Sequence, residues 1–458
     1  MIKKVRIGAG SGFWGDGIDP AIELLEHGNL DYMCFDYLAE LTMSLLERQR
    51  QRKPESGYVP DFVDHAKAML QLARDKHTRL ISNGGGVNPM GAARLIVDEA
   101  KRLGMGALKV AVVTGDDVLG QLDTMQAEGV TLQNTDTGQA DFGRVRHLVV
   151  SANVYTDCSG IVEGLGAGAD IVVTGRVSDN ALYVGPIMHE FGWKHDHVHV
   201  DKIAAAITAG HILECACPCT GGMSSRFASM PRMGMVGFPY VDFAQDATAE
   251  ISKLFDTGGV VDIDSVREHL VYEIADPRRY LMPDGIADFT SLRLEQTAAN
   301  RVKVSGVTGA APPEMLKLVI GYQDGWIGES MAFFPWPHAY DRALKARQTM
   351  LERLERMGLQ ADEIQFDFVG LNMLHGPAAG EIDPVIANSM PEIGLRCAVR
   401  TRTVQEAEKV RRASANLWTM GPSGTAFGSP IKPRPVVALW PTLVPRKYVR
   451  QSVQMLES

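Results

Sequence analysis

The sequence predicts an α/β fold: an open, mostly parallel sheet flanked by helices, with a following α+β region. Two observations lead to this prediction. Between residue 1 and about residue 190, six short apolar runs each precede a glycine or polar residue and then a helical stretch. Nearly continuous apolar runs of this kind are typical of parallel strands that helices cover on both faces. After about residue 200 the alternation is lost and turn signals multiply, which predicts antiparallel strands.

The individual elements follow from these patterns in chain order. The predicted strands span residues 3–8, 30–36, 78–83, 107–114, 147–153 and 169–174. Six helices are predicted around them. The first begins near Ile18, the second and third cover residues 37–48 and 91–103, the fourth ends at Met125, the fifth runs through Leu165, and the sixth begins at Ser178-Asp179. Farther on, periodicity predicts helices over 201–211, 340–357 and 404–417, and strands over 315–320 and 364–371.

The composition bounds the class of protein. Of 458 residues, 45% are hydrophobic and 22% charged, which excludes disorder and a coiled coil. We predict an α/β domain over residues 1–240 that carries the site, and an α+β region over 241–458 packed on it. A net charge of −9 without a basic run argues against nucleic-acid binding. No apolar run approaches the roughly 20 residues that span a bilayer, and six cysteines are too few for a disulfide framework, so we expect a cytoplasmic protein.

A glycine-rich segment follows the first predicted strand. Gly10-Ser-Gly12-Phe-Trp-Gly15 matches G-x-G-x-x-G, a pattern in which backbone N–H groups approach a phosphate at a helix N-terminus. Asp31 or Asp36 follows near the spacing of a ribose contact. Asp16 would repel a pyrophosphate, however, which favours a glycine turn that lines another kind of site. The sequence requires no cofactor, and NAD stays open as the alternative.

Polar side chains occur at the carboxyl end of strand after strand. Ligands of open α/β sheets bind in the crevice outside these ends, so we expect the residues to meet at one site. Each of them alone could instead cap the helix that follows it. The residues are Asp16, Asp36, Asn83, Asn88, Asp116, Asn153, Arg176 and Asp179.

Arg176 is the candidate anchor for an anionic substrate. A guanidinium beside a helix N-terminus offers two parallel donors to a carboxylate or phosphate. The alternative is a structural ion pair with Asp170 or Asp179.

The histidine-rich segment His195-Asp-His197-Val-His199 suggests a metal site. In an extended chain these imidazoles lie about 6–7 Å apart on one face. That spacing is wide for ligands that each lie about 2 Å from one ion. We therefore expect a solvated loop and no metal.

Residues 211–222 hold the densest group of reactive side chains. Cys215, Cys217 and Cys219 lack the C-x₂-C spacing of zinc sites, and we expect buried thiols that pack as small hydrophobes, with a nucleophilic cysteine as the alternative. Glu214 lies among apolar residues and is a candidate general base, unless it is an ordinary hydrogen-bonded core residue. Thr220-Gly221 is expected to contact the substrate.

These segments together resemble the acyclic terpene utilisation (AtuA) family over nearly the whole chain. Some members carry a further small C-terminal domain, for which we expect no room in this chain. The motifs that carry the resemblance include Gly12-Phe13…Gly15-Asp16, Asp36-Tyr-Leu-Ala-Glu40, Asn83-Gly-Gly85…Asn88-Pro89, Thr174-Gly-Arg176…Asp179, Phe191-Gly-Trp193, Leu213-Glu-Cys215…Thr220-Gly-Gly222, Tyr272-Glu-Ile274…Asp276-Pro277 and Gly321-Tyr322…Asp324-Gly325.

The resemblance implies a role in the catabolism of branched or terpenoid carboxylic acids, often alongside enzymes of CoA thioesters. We therefore expect an enzyme, a lyase or hydratase, whose partner is a small carboxylate or CoA thioester. Glu214 with Asp36 or Asp179 would move protons, Arg176 and the glycine turn would hold the anion, and Asn83 and Asn153 would polarise a carbonyl. The alternatives are an NAD(P)-dependent oxidoreductase and a non-catalytic binding or assembly subunit.

A homo-oligomer is a further expectation. It rests on the apolar tail residues Val436, Leu439, Trp440 and Leu443, which would form an interface if they were exposed.

Overall fold

The computed structural model describes residues 2–428 and 431–458. The first part of the chain alternates strands and helices as predicted. Its elements are β1 (Lys4–Ser11), α1 (Asp19–His27), β2 (Tyr32–Phe35), α2 (Thr42–Arg52), α3 (Pro60–Lys76), β3 (Arg79–Ser82), α4 (Pro89–Arg102), β4 (Lys109–Thr114), α5 (Leu122–Ala127), α6 (Gly143–Arg146), β5 (Val149–Val154), α7 (Ser159–Gly166), β6 (Ile171–Thr174) and α8 (Ala181–Phe191).

The remainder begins with two helices among antiparallel strands. These elements are α9 (Val200–Leu213), β7 (Pro239–Ala244), β8 (Ala249–Lys253), α10 (Ile263–Leu270), β9 (Tyr280–Met282), β10 (Gly285–Asp288), β11 (Arg293–Ala298), β12 (Arg301–Ser305) and β13 (Thr308–Ala310). The last elements are β14 (Met315–Pro335), α11 (Ala339–Arg356), β15 (Glu363–Val369), α12 (Pro384–Ser389), β16 (Glu392–Thr401), α13 (Val404–Met420), β17 (Ala426–Phe427), β18 (Arg434–Pro445) and β19 (Ser452–Glu457).

The described residues form a ten-stranded sheet in the order β11-β12-β8-β7-β1-β2-β3-β6-β4-β19. The five strands from β1 to β4 in this order are parallel. Antiparallel strands flank them, with β7 against β1 and β19 against β4. The predicted α/β class with a mostly parallel sheet flanked by helices is confirmed.

Two hydrophobic clusters cover the two faces of this sheet. Along β4, Ala111 and Val113 pack with α7, α8 and α9, whereas Val110 and Val112 pack with α1, α3 and α4. Successive side chains of a strand point to opposite faces, so a strand that is covered on both faces is apolar at every position. This explains the continuous apolar runs of the sequence.

The fifth predicted strand is the exception. Residues 147–153 do form a strand, β5, but it lies outside the ten-stranded sheet and pairs with β14. The position beside β4 is taken on one side by β6 and on the other by β19. The expectation that all six runs share one parallel sheet is wrong for this run.

The chain divides into two compact units at positions other than those predicted. One unit consists of residues up to Gly321 together with Leu439–Ser458, and the other is Tyr322–Ala438. The predicted boundary at 240/241 falls inside β7, which pairs with β1 and β8. Residues 239–305 contribute antiparallel strands to the same large sheet, so they cannot form a separate domain.

The second unit is built on antiparallel strands and its own core. β16 pairs with β14 on one side and β15 on the other. Phe334 and Leu395 of these strands pack with Met350 of α11 and with Val410 and Leu417 of α13.

The apolar tail residue Trp440 lies inside the first unit. Its ring packs edge-on against Phe142, with 5.7 Å between ring centroids, and its indole N–H donates to the carbonyl of Leu132. Trp440 is therefore core, which removes it from the expected interface segment. Among the described residues, no helix is both long enough and apolar enough to cross a bilayer.

Candidate active site at the carboxyl edge of the sheet

The five parallel strands end along one edge of the sheet. Their last residues are Ser11, Phe35, Ser82, Thr174 and Thr114 in spatial order. The residues that follow each strand therefore lie side by side, as the sequence predicts for a ligand crevice of an open α/β sheet.

Asp36 follows β2 and is hydrogen-bonded to a residue that follows the neighbouring strand β3. Asn83 Nδ2 donates to Asp36 Oδ1 at 2.6 Å, and Asn83 Oδ1 accepts from the N–H of Tyr37 at 2.9 Å. Burial raises the pKa of Asp36 to about 6, against the charge of Arg176 and the Asn83 bond, which lower it. The charge of Glu214 raises the pKa of Asp36 further, so the two carboxylates interact electrostatically.

Arg176 is buried beside Asp36, with 1% of its surface exposed. Its guanidinium donates to the carbonyls of Leu38 at 2.6 Å and Val177 at 2.8 Å, and forms an ion pair with Asp179. It also lies over the ring of Tyr155, 4.1 Å from the centroid. Of the two ion pairs that the sequence allows for Arg176, the structure contains the one with Asp179.

A second buried carboxylate, Asp116, lies at the end of β4. It accepts from Asn153 Nδ2 at 2.8 Å and from the backbone N–H of Arg176, and burial, the larger effect, raises its pKa to about 6. Gly175 is required here, because a Cβ would lie 2.3 Å from Asp116 Oδ1. Asn153 therefore belongs to this edge although its own strand is outside the sheet.

Close packing leaves no room for a side chain at two glycines of the glycine turn. A Cβ at Gly10 would lie 2.3 Å from the ring of Phe35, and one at Gly12 would lie 2.2 Å from the carbonyl oxygen of Cys215. Asp16 accepts from the N–H of Gly12 at 2.9 Å and of Gly17 at 3.2 Å, so the carboxylate already holds the donor that a phosphate would use. This geometry supplies no argument for a dinucleotide.

Glu214 follows the end of α9, next to the Cys215 carbonyl that Gly12 contacts. Its Oε1 bonds His211 Nδ1 at 3.1 Å, one helical turn back, and both side chains are buried. Tyr280 Oη lies 3.3 Å from the same nitrogen. His211 Nε2 is buried and has no partner among the described residues.

His269 covers the other side of His211. Its Nε2 donates to the carbonyl of His211 at 2.8 Å, and the two rings stack with centroids 5.4 Å apart. Burial, followed by the charge of His211, lowers the pKa of His269 to about 3, so this ring is neutral at physiological pH. The aromatic stack holds His211 in place against Glu214.

The cysteines and the Thr220 turn have structural roles. Burial raises the pKa of the Cys217 thiol to about 12 and that of Cys215 and Cys219 higher still, which leaves little thiolate at neutral pH. Thr220 Oγ1 donates to the carbonyl of Cys217 at 3.0 Å, and Gly221, with a φ of 106°, closes the turn. The alternative of a nucleophilic cysteine has no support in this geometry.

Asn88 caps α4. Its Oδ1 accepts from the N–H of Gly91 at 3.0 Å, and its Nδ2 donates to the carbonyls of Glu55 and Ser56. The helix-cap alternative holds at this position.

Replacing Asn88 by alanine should lower the free energy of unfolding by about 1 kcal/mol, because a helix N–H loses its acceptor. Urea unfolding checks this value. Asn88→Ser keeps an acceptor and should restore most of the loss. An alanine variant as stable as the wild type would show that the cap does not contribute.

Sequence reasoning missed one residue of this edge as a site candidate and the burial of another. No role was predicted for His211, although its spacing of three from Glu214 places both on one face of a helix. Asp116 was named only among the strand-end residues, and only the structure shows that it is buried with Asn153.

The fold and the site define an open α/β protein with a cluster of buried carboxylates at the carboxyl edge of its sheet. The profile of the family described as acyclic terpene utilisation family protein AtuA matches residues 5–455. The chain belongs to this family, and membership implies a part in acyclic terpene utilisation, a catabolic role. Comparisons with curated proteins and with solved structures gave no significant match.

Proposed function

We propose that the chain is an enzyme of carboxylic-acid or acyl-CoA catabolism, a lyase or hydratase for branched or terpenoid acids. One observation carries the proposal: Asp36 and Glu214 are both buried at the carboxyl edge, and the charge of Glu214 raises the pKa of Asp36. Two carboxyl groups in unlike environments are what an acid–base pair requires.

The roles follow from the surroundings of each group. Asp36, with a pKa of about 6, holds a proton for part of the time near neutral pH and acts as the acid. Glu214, oriented by His211, acts as the base. In a hydration, Glu214 takes a proton from water as its oxygen adds to the β-carbon of an unsaturated acid, and Asp36 gives a proton to the α-carbon. Elimination is the reverse.

Arg176 can bind the substrate anion only by exchanging its partner. Asp179 is a third exposed at its side chain, whereas Arg176 is enclosed. A substrate carboxylate would replace Asp179 on the guanidinium, and the charge balance of the edge would be kept.

The segment after Glu214 supports an apolar substrate. Met223, Phe227 and Met235 expose 80%, 76% and 64% of their surface in the residues that follow the catalytic candidate. We infer that these exposed apolar side chains contact the hydrocarbon part of the substrate. A branched hydrocarbon chain is a ligand of matching chemistry.

Replacing Glu214 by glutamine should reduce turnover by about 100-fold or more, because the amide cannot take a proton. The assay follows the ultraviolet absorbance of branched α,β-unsaturated acyl-CoA thioesters, and of the free acids, during incubation with the purified protein. Glu163→Gln, an exposed change on α7, is the matched control and should leave turnover unchanged. Full turnover in Glu214→Gln would remove the proposed base.

One observation favours a second candidate, a non-catalytic binding or assembly subunit. Asp16, Asn83 and Arg176 are each hydrogen-bonded to backbone groups of the chain, so these polar atoms already have partners without a ligand. This candidate would be favoured if none of the branched unsaturated acyl-CoA thioesters or free acids were turned over and none raised the melting temperature.

All six cysteines are free thiols, which supports the cytoplasm as the proposed location.

A further inference from the structure

Three potential metal ligands from distant parts of the sequence meet outside the carboxyl edge. They are Cys158 at the start of α7, His195 between α8 and α9, and Asp284 in the turn between β9 and β10. One ligand atom of each lies within 4.8 Å of the others. We propose that Cys158, His195 and Asp284 form a binding site for a zinc ion, separate from Asp36 and Glu214.

Asp284 is the first argument for an ion. It is fully buried, at 0% exposure, in a tight turn. Its Oδ1 accepts from the N–H of Cys158 and from His195 Nε2, both at 3.0 Å, whereas its Oδ2 is buried and has no hydrogen-bond partner within residues 2–428 and 431–458. An unpaired buried carboxylate oxygen is costly, and a cation is its natural partner.

The donor set is the second argument. Thiolate sulfur, imidazole nitrogen and carboxylate oxygen are the ligands of Zn²⁺, and tetrahedral bonding places such atoms about 3.3–3.6 Å apart. One ligand atom of each side chain already lies within 4.8 Å of the others, so binding an ion requires only a small contraction. Oδ2 of Asp284 can bind the ion while Oδ1 keeps the N–H of Cys158, which fixes the carboxylate from the second coordination shell.

The charges around the site balance when the ion is present. Arg446 forms an ion pair with Asp157 at 2.6 Å, so these neighbours neutralise each other. The carboxylate of Asp284 and the thiolate of Cys158 then carry two negative charges, which equal the charge of Zn²⁺. Metal binding thus releases the thiol proton to solvent.

Access is provided by a cavity of about 200 Å³. His195 and Asp284 line it together with His197 and Pro312. It leaves room for a water molecule as a fourth ligand, the arrangement of zinc sites with three protein ligands.

The proposal concerns one of the three histidines in the segment that the sequence predicts to be a solvated loop without metal. His199 Nδ1 pairs with Asp196 at 2.8 Å, and its ring stacks on Trp193. His195 is exposed as a residue, but its Nε2 bonds the buried Asp284, beside which Cys158 lies.

Zinc titration with a competing chromophoric chelator tests the site, after EDTA treatment and dialysis of the intact chain. We expect one ion per chain in the wild type, and an affinity reduced about 100-fold or more in Cys158→Ser and in His195→Ala. His197→Ala, in the same loop and cavity, is the control and should bind as the wild type does. Co²⁺ in place of zinc should give a thiolate charge-transfer band in the near ultraviolet, which Cys158→Ser abolishes.

The outcomes are distinct. No zinc bound by the wild type, or equal zinc in wild type and His195→Ala, would overturn the proposal, the latter by showing an adventitious surface site. The cobalt band is measured on the wild type alone, so the proposal is still tested if a variant fails to fold. The acid–base proposal is unaffected by either result, because Glu214→Gln is assayed separately.

Discussion

Replacing Arg176 by alanine is expected to lower the free energy of unfolding by about 3–5 kcal/mol, the cost of breaking a buried charge pair. The guanidinium is 1% exposed and its positive charge lowers the pKa of the buried Asp36. Without it, the buried carboxylate loses the positive charge that lowers its pKa, and the carbonyls of Leu38 and Val177 lose a donor. Urea unfolding at pH 7.5 measures the loss.

Two further variants separate charge from shape. Arg176→Lys keeps the charge but loses the fork of donors, so its stability should lie between the wild type and the alanine variant. Combining Arg176→Ala with Asp36→Asn removes both charges and should recover part of the loss, a coupling that a double-mutant cycle reports. A loss below about 1 kcal/mol in Arg176→Ala would contradict the electrostatic role.

Replacing Asp36 by asparagine should make the protein more stable at pH 8, by up to about 3 kcal/mol, and inactive in the thioester assay. The pKa of Asp36 rises from an ordinary 3.8 to about 6, roughly two units at about 1.4 kcal/mol each. Asparagine removes the buried charge and still accepts from Asn83 and Leu38. Gain of stability with loss of function is the mark of a site residue.

The pH dependence has a definite sign. Because the folded pKa lies above the unfolded one, the folded state binds the proton first, and the wild type gains stability as pH falls from about 7 to about 4. Asp36→Asn lacks this gain, so the two proteins should converge at pH 4. The titration of Asp116 contributes equally to the stability of the wild type and of Asp36→Asn, so it does not affect the difference between them. Asp98→Asn, an exposed change, is the control, and a constant difference across this window would contradict the prediction.

Apolar periodicity was enough to predict the parallel sheet, since β1 to β4 and β6 are buried on both faces. The helix α3 was not predicted, although Pro60 at its start and Phe62, Ala66 and Met69 on one face were readable signals. The exclusion of β5 from the sheet could not be predicted, because β6 and β19 occupy the two sides of β4 through pairings between residues distant in sequence. Strand pairing of this kind leaves no local pattern.

The candidate site was predicted in its position more fully than in its chemistry. Strand ends brought Asp36, Asn83 and Arg176 together, as expected from a parallel sheet. The sequence could not show that these side chains use one another as partners, since burial and hydrogen bonding depend on a few tenths of an ångström. His195 shows the same limit, because its partners Cys158 and Asp284 are near it only in space.

The pairing of β19 with β4 has a consequence for synthesis on the ribosome. The N–H of Leu108 bonds Ser458 Oγ across 350 positions of the chain. At about 5–20 residues per second, β4 emerges tens of seconds before the strand that covers its edge. An uncovered strand edge invites pairing with other nascent chains, so a chaperone that shields this edge during translation would raise the yield of folded protein.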